Sequence, residues 1–80
     1  MAEFEQRFGE RIRAMRLALG LTQKQLGAAV GVSKQAIQNV EVGRRETTIT
    51  RAIAIARVLN TTVEYLAGVT DNPSRPETST

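Results

Sequence analysis

The sequence predicts an all-α fold, a compact bundle of about five short helices around one core. Three observations carry that expectation. Apolar residues recur at steps of three and four through most of the chain, the period of a helix buried along one side. Ser or Thr stands where each later helix would begin, and Gly where most would end, residue types that satisfy free N–H groups and tolerate a left-handed turn respectively. Eighty residues, finally, suffice for one small core and one domain.

The first helix is read from Glu3 to Leu19, with Phe4, Phe8, Ile12, Met15 and Leu19 as its buried stripe and Gly20 as its stop. Glu3 and Glu5 at its start, with Arg13 and Arg16 near its end, match the helix dipole. Thr22 opens a capping box, T-x-x-Q with Gln25, and Leu26, Ala29 and Val30 line a second short helix that Gly31 ends. Ser33 caps a third, in which Ala36, Ile37 and Val40 share one side, and Gly43 takes the position just past its end. The segment RRETT, Arg44 to Thr48, is a polar loop. After it Ile49, Ala52, Ile53, Ala56 and Leu59 again have helical spacing. TITRAIAIA also alternates like a strand through Ile53 and Ile55, but its length and alanine content favour a helix. Thr61 or Thr62 caps a last helix carrying Val63, Tyr65 and Leu66, ended by Gly68. The stretch TDNPSRPETST is polar and holds both Pro residues, so residues 1–69 are expected to form the domain and 70–80 a flexible tail or linker.

Composition narrows the function. With neither Cys nor His, the chain offers no disulfide, no thiolate and none of the usual zinc ligands, and no metal or other cofactor is expected. No acid–base or nucleophile constellation can be assembled from what remains, so an enzyme is not expected. The start MAEFEQRFGE lacks the basic then apolar order of a secretory signal. Its longest apolar run, Ala52 to Ala56, is far short of the roughly 20 residues that span a bilayer, and a soluble, cytoplasmic protein is expected. The formal charge is +3, the pI about 10.2, and Arg supplies nine of the eleven basic residues. Guanidinium groups suit phosphate, which makes nucleic acid the first partner to consider.

The segment VGVSKQAIQNVEVG, Val30 to Gly43, sharpens that partner. Gly31-Val32-Ser33 is a three-residue turn of the kind that joins two helices at a steep angle in a helix-turn-helix. Small or apolar residues stand where crossed helices must touch: Gly27 for close approach, Gly31 for the turn, and Val32 as the plug between them. Opposite the stripe of Ala36, Ile37 and Val40 lie Lys34, Gln35, Gln38, Asn39 and Val42, a face rich in hydrogen-bonding side chains and poor in carboxylates. A polar helix face is most often only solvated; the alternative is a surface that reads base edges, where Gln or Asn pairs with adenine and Lys donates to guanine. Val42 has two readings, contact with a thymine methyl or packing on the loop.

From about Phe8 to Pro73 the chain resembles the lambda-repressor-like, or Xre (Cro/cI-type), helix-turn-helix regulators. The resemblance rests on GERIRAMRLALGLTQKQLG, VGVSKQAIQNVEVGRR and LNTTVEYLAGVTDNP, in that order. It implies a sequence-specific transcriptional regulator of double-stranded DNA, a repressor by expectation, whose recognition helix begins at Ser33. Lys34, Gln35 and Asn39 match base-reading positions, and Gln38 is a further candidate on that face. Gln23 matches a residue that grips the DNA backbone, in the first turn of a helix where free N–H groups favour phosphate. Thr22, Lys24, Ser33, Arg44, Arg45 and Arg51 complete the phosphate candidates. Arg16 and Glu41 match a structural ion pair of the family. The chain departs from the pattern near Thr47, where Pro is common, which puts the backbone path of that loop in question.

The resemblance also implies a homodimer on an inverted-repeat operator, with recognition helices about 34 Å apart in successive major grooves. Its surface is expected around Val58, Thr61, Val63 and Tyr65. A chain ending at Thr80 would be Cro-like, or similar to controller proteins of restriction–modification systems; a fragment would continue into a further domain. A second reading keeps the fold and makes protein binding its main task, as in an antitoxin or adaptor. Substituting Gln35, Gln38 and Asn39 separates the two, since partner binding would then survive and DNA binding would not.

Overall fold

The computed structural model describes residues 2–75, with side chains from Phe4 onward. Among these residues there are five helices and no strand: α1 (Ala2–Ala18), α2 (Gln23–Val30), α3 (Lys34–Glu41), α4 (Ile49–Val58) and α5 (Val63–Ala67). None is long and apolar enough to cross a membrane. Each of the four later helices starts on a hydroxyl. Thr22 Oγ1 accepts from the Gln25 N–H at 2.9 Å while Gln25 Oε1 accepts from the Thr22 N–H at 2.8 Å, the reciprocal capping box. Ser33, Thr48 and Thr62 each accept from the N–H three residues on, and so cap α3, α4 and α5. Left-handed glycines follow α1, α2, α3 and α5, whereas Asn60 (φ +57°) turns the chain after α4.

The core gathers Phe8 and Ile12 of α1, Leu26 of α2, Ile37 and Val40 of α3, Ala52, Ile55 and Ala56 of α4, then Leu59 and Leu66. Several stripes expected from the sequence are trimmed or turned. Phe4 and Leu19, at the ends of the α1 stripe, are half exposed, because a 17-residue helix is about 25 Å long and overhangs the short helices it packs on. The Phe4 ring instead stacks on Phe8, with centroids 5.9 Å apart. Ala29 faces solvent and leaves Leu26 and Val30 to line α2. In α4 the buried stripe is Ala52, Ile55, Ala56 and Leu59, while Ile49 and Ile53 are 67% and 41% exposed. At 100° per residue, Ile53 lies about 110° from the centre of that stripe and Ile49 about 70°. Ile49 joins Phe4, Phe8, Ala52, Val63 and Ala67 in lining a shallow apolar groove of about 190 Å³. The Glu3 side chain, expected to serve the helix dipole, lies outside the described residues.

Two glycines set how closely the helices meet. A Cβ on Gly27 would fall 2.6 Å from the Val32 carbonyl oxygen, so α2 can seat the turn only with hydrogen there. Gly9 in α1 is tighter still: its Cβ would fall 2.2 Å from the Val40 oxygen and 2.5 Å from the Glu41 oxygen, at the end of α3. Past α5 the chain folds back on α1. Arg11 lays its guanidinium over the Tyr65 ring, 4.2 Å from the centroid, and donates to the carbonyls of Tyr65 and Thr70 and to the Asp71 carboxylate. The Thr61 hydroxyl donates to the Pro73 carbonyl at 2.6 Å. Residues 76–80 of the expected tail lie outside the described residues.

Candidate nucleic-acid interface

The helix α3 is anchored on one side and open on the other. On its inner side Glu41 is 5% exposed and accepts from Arg16 Nε at 2.6 Å and Nη2 at 3.1 Å, a bidentate pair across α1 and α3. Arg16 Nη1 donates to the Leu21 carbonyl at 2.8 Å. Gln23 Nε2 donates to Glu41 Oε1 at 3.1 Å, so the first residue of α2 is held by the last of α3. Both charges are thereby paired and hydrogen-bonded, the condition for burying them.

On the outer side Lys34, Gln35 and Gln38 are exposed and Asn39 is half buried. Val42, the C-cap, is 56% exposed and presents a bare methyl surface beside them. The end of α3 is a Schellman motif: the Gly43 N–H donates to the Val40 carbonyl at 3.1 Å and the Arg44 N–H to the Asn39 carbonyl at 2.9 Å. That turn carries the Arg44 side chain back over Asn39, whose Oδ1 accepts from Arg44 Nη1 and from Gln35 Nε2, both at 3.3 Å. Arg45, Arg51 and Asn39 line one cavity of about 250 Å³ with Glu46 and Thr47. Thr22, Lys24 and Ser33 are exposed, the first and last with their hydroxyls engaged in capping, and neither Lys24 nor Lys34 is brought into either cluster.

A third grouping eluded the sequence. Arg13, read there only as a complement to the helix dipole, lines a polar groove of about 470 Å³ with Gln6, Glu10, Gln23, Gln38 and Glu41. The signal was its spacing: Arg13 is one turn before Arg16 and so runs along the same edge of α1 toward α3. The expected dimer surface is corrected at one residue. Thr61 is 1% exposed, its N–H bonded to the Ala56 carbonyl and its hydroxyl to Pro73, and so is turned into the fold. Val58, Val63 and Tyr65 are half buried.

Five helices among the described residues, a Gly-headed turn between α2 and α3, and an outer face on α3 rich in amides and poor in carboxylates define a helix-turn-helix protein. The helix-turn-helix family model matches residues 12–66, and the chain belongs to this family, in its Xre (Cro/cI) type; family and fold are those of DNA-binding transcription regulators, not of enzymes. The chain is 30% identical over 64 residues to the HTH-type transcriptional regulator YobD of Bacillus subtilis (strain 168), covering 80% of this chain and 57% of YobD. Its fold is similar to that of the restriction-modification controller protein C.AhdI from Aeromonas hydrophila, at a TM-score of 0.73 and 29% identity over 78% of this chain and 94% of that one. The P22 c2 repressor, solved in complex with a synthetic operator, superposes at a TM-score of 0.72 and 39% identity, over 74% and 89% of the two chains. The chain spans about half the length of the curated relatives it matches first.

Proposed function

We propose that this chain is a sequence-specific regulator, by expectation a repressor, that reads double-stranded DNA by placing α3 in the major groove. The observation that carries the reading is the outer face of α3: Lys34, Gln35, Gln38 and Asn39 gather hydrogen-bonding side chains on one side of the helix, with Arg44 and Arg45 at one end. Amides and an ammonium address base edges, and the guanidinium groups suit flanking phosphates. Thr22 and Gln23 at the start of α2, with Lys24 and Ser33, offer further backbone contacts near helix N-termini. The operator complex of the P22 c2 repressor supports DNA as the partner.

One eight-residue helix touches too few bases for tight binding, so the working unit is a homodimer on an inverted repeat, with Val58, Val63 and Tyr65 toward the partner copy. The test is selection of bound duplexes from a random pool, followed by titration of the winner at two salt concentrations. An enriched inverted repeat, with half-sites about one helical turn apart, is the expected result. Binding without any enriched sequence would reduce α3 to part of a basic surface, and no binding at all would make protein association the chain's task.

A further inference from the structure

We infer that Arg44 is a positioning residue for Asn39 and thereby sets which base edge Asn39 addresses; the inference rests on α3 being the reading helix. An amide oxygen offers two acceptor sites. In Asn39 both are taken, one by Arg44 Nη1 and one by Gln35 Nε2. The backbone favours this arrangement: the Schellman turn at Gly43 ties the Arg44 N–H to the Asn39 carbonyl and so starts the Arg44 side chain beside Asn39. What Asn39 can present to DNA is therefore its Nδ2 donors alone.

A donor-only amide suits the acceptors of the major groove, guanine N7 and O6 or thymine O4. The two-point contact with adenine, by contrast, requires Oδ1 to accept from N6. Gln35 spends one N–H on Asn39 and keeps Oε1, so it retains the capacity for adenine that Asn39 has lost. Arg44 consequently differs from Arg45, which lines a cavity with Asn39, Arg51 and Thr47 but is not among the donors to Asn39 Oδ1. Losing either removes a cation near the DNA backbone; losing Arg44 also returns an acceptor site to Asn39.

The experiment is a selection from random duplex, then titration of the selected duplex and its single-position variants, on the full chain and on Arg44→Ala, Arg45→Ala, Asn39→Ala and the Arg44→Ala/Asn39→Ala double variant. For Arg44→Ala the expected result is a shift toward adenine at one position per half-site, about tenfold relative to the other bases. Arg45→Ala is expected to weaken all duplexes alike. In the Asn39→Ala background the Arg44 substitution should no longer change base preference, since its effect passes through Asn39. An Arg44→Ala protein that loses affinity uniformly and keeps its base preference overturns the inference while leaving the reading helix in place. A parent chain that enriches no sequence overturns both.

Discussion

Two residues apart on α3 stand two acceptors that each take one Arg and one Gln. Glu41 receives Arg16 and Gln23 at 2.6–3.1 Å in a nearly dry setting, and Asn39 receives Arg44 and Gln35 at 3.3 Å on the surface. The donor types are the same and the consequences are opposite. Around Glu41 every partner lies within the fold, so the cluster joins α1, α2 and α3 and is worth stability. Around Asn39 water competes for every bond, so the cluster contributes little to stability but orients the groups that a ligand meets. Burial, more than chemistry, divides the anchor of this helix from its reading face.

The division is tested first where the effect should be largest. Glu41→Ala or Arg16→Ala leaves a buried charge without its partner and is expected to cost about 3–5 kcal/mol, measured as a lower denaturant midpoint. Asn39→Ala is expected to stay within about 0.5 kcal/mol of the parent, as substitutions of surface polar groups away from the core usually do. Equal losses at the two positions would break the comparison. Replacing both charges together, as Arg16→Met with Glu41→Leu, should recover much of the loss, because no lone charge then remains.

Next in size is the approach of α1 to the anchor. Gly9→Ala places a methyl against the Val40 and Glu41 carbonyls and must move α1 or the end of α3. A loss of about 1–3 kcal/mol in chemical unfolding is expected, even though Ala gains about 1 kcal/mol over Gly in helix propensity. A gain in stability would mean that α1 slides freely over α3, and the anchor would not be rigid.

The open side should respond in binding instead. Gln35→Ala is expected to weaken the preferred duplex by about 1–3 kcal/mol in fluorescence titration, with unrelated duplexes and the unfolding midpoint unchanged. Arg45→Ala should weaken all duplexes and flatten the dependence of log K on log salt by about one unit. Were Gln35→Ala to lower stability and leave the preferred duplex untouched, the reading face would have to be moved from this side of α3.

How much of this was legible beforehand follows the range of the interactions. Helix starts and stops are local, and Thr22, Ser33, Gly31 and Gly43 announce them within a few residues. The orientation of α4 is not local: Ala52, Ala56 and Leu59 belong both to the expected stripe with Ile49 and Ile53 and to the observed one with Ile55, so packing had to choose. Gly9 lies inside a helix, where its spacing says nothing of a carbonyl on α3. The Arg11 clamp reaches backbone carbonyls 54 and 59 residues away, and a backbone acceptor leaves no mark in a side-chain pattern. The Arg44 bond to Asn39 was within reach, since Gly43 past the helix end implies the turn that brings the two together.

The smallest effect concerns a polar atom with neither kind of partner. Thr47 Oγ1 is buried and makes no hydrogen bond among the described residues, in the loop where the chain departs from the family's usual Pro. A buried hydroxyl without a partner costs roughly 1–3 kcal/mol of desolvation, whereas a methyl of the same shape costs nothing. Thr47→Val should therefore raise stability by about 1 kcal/mol, read as a higher denaturant midpoint at unchanged slope. The sign discriminates. A loss of similar size would mean the hydroxyl is satisfied by water in the cavity it shares with Arg45 and Arg51. That loop would then belong with the hydrated reading face, and the dry region would end at Glu41.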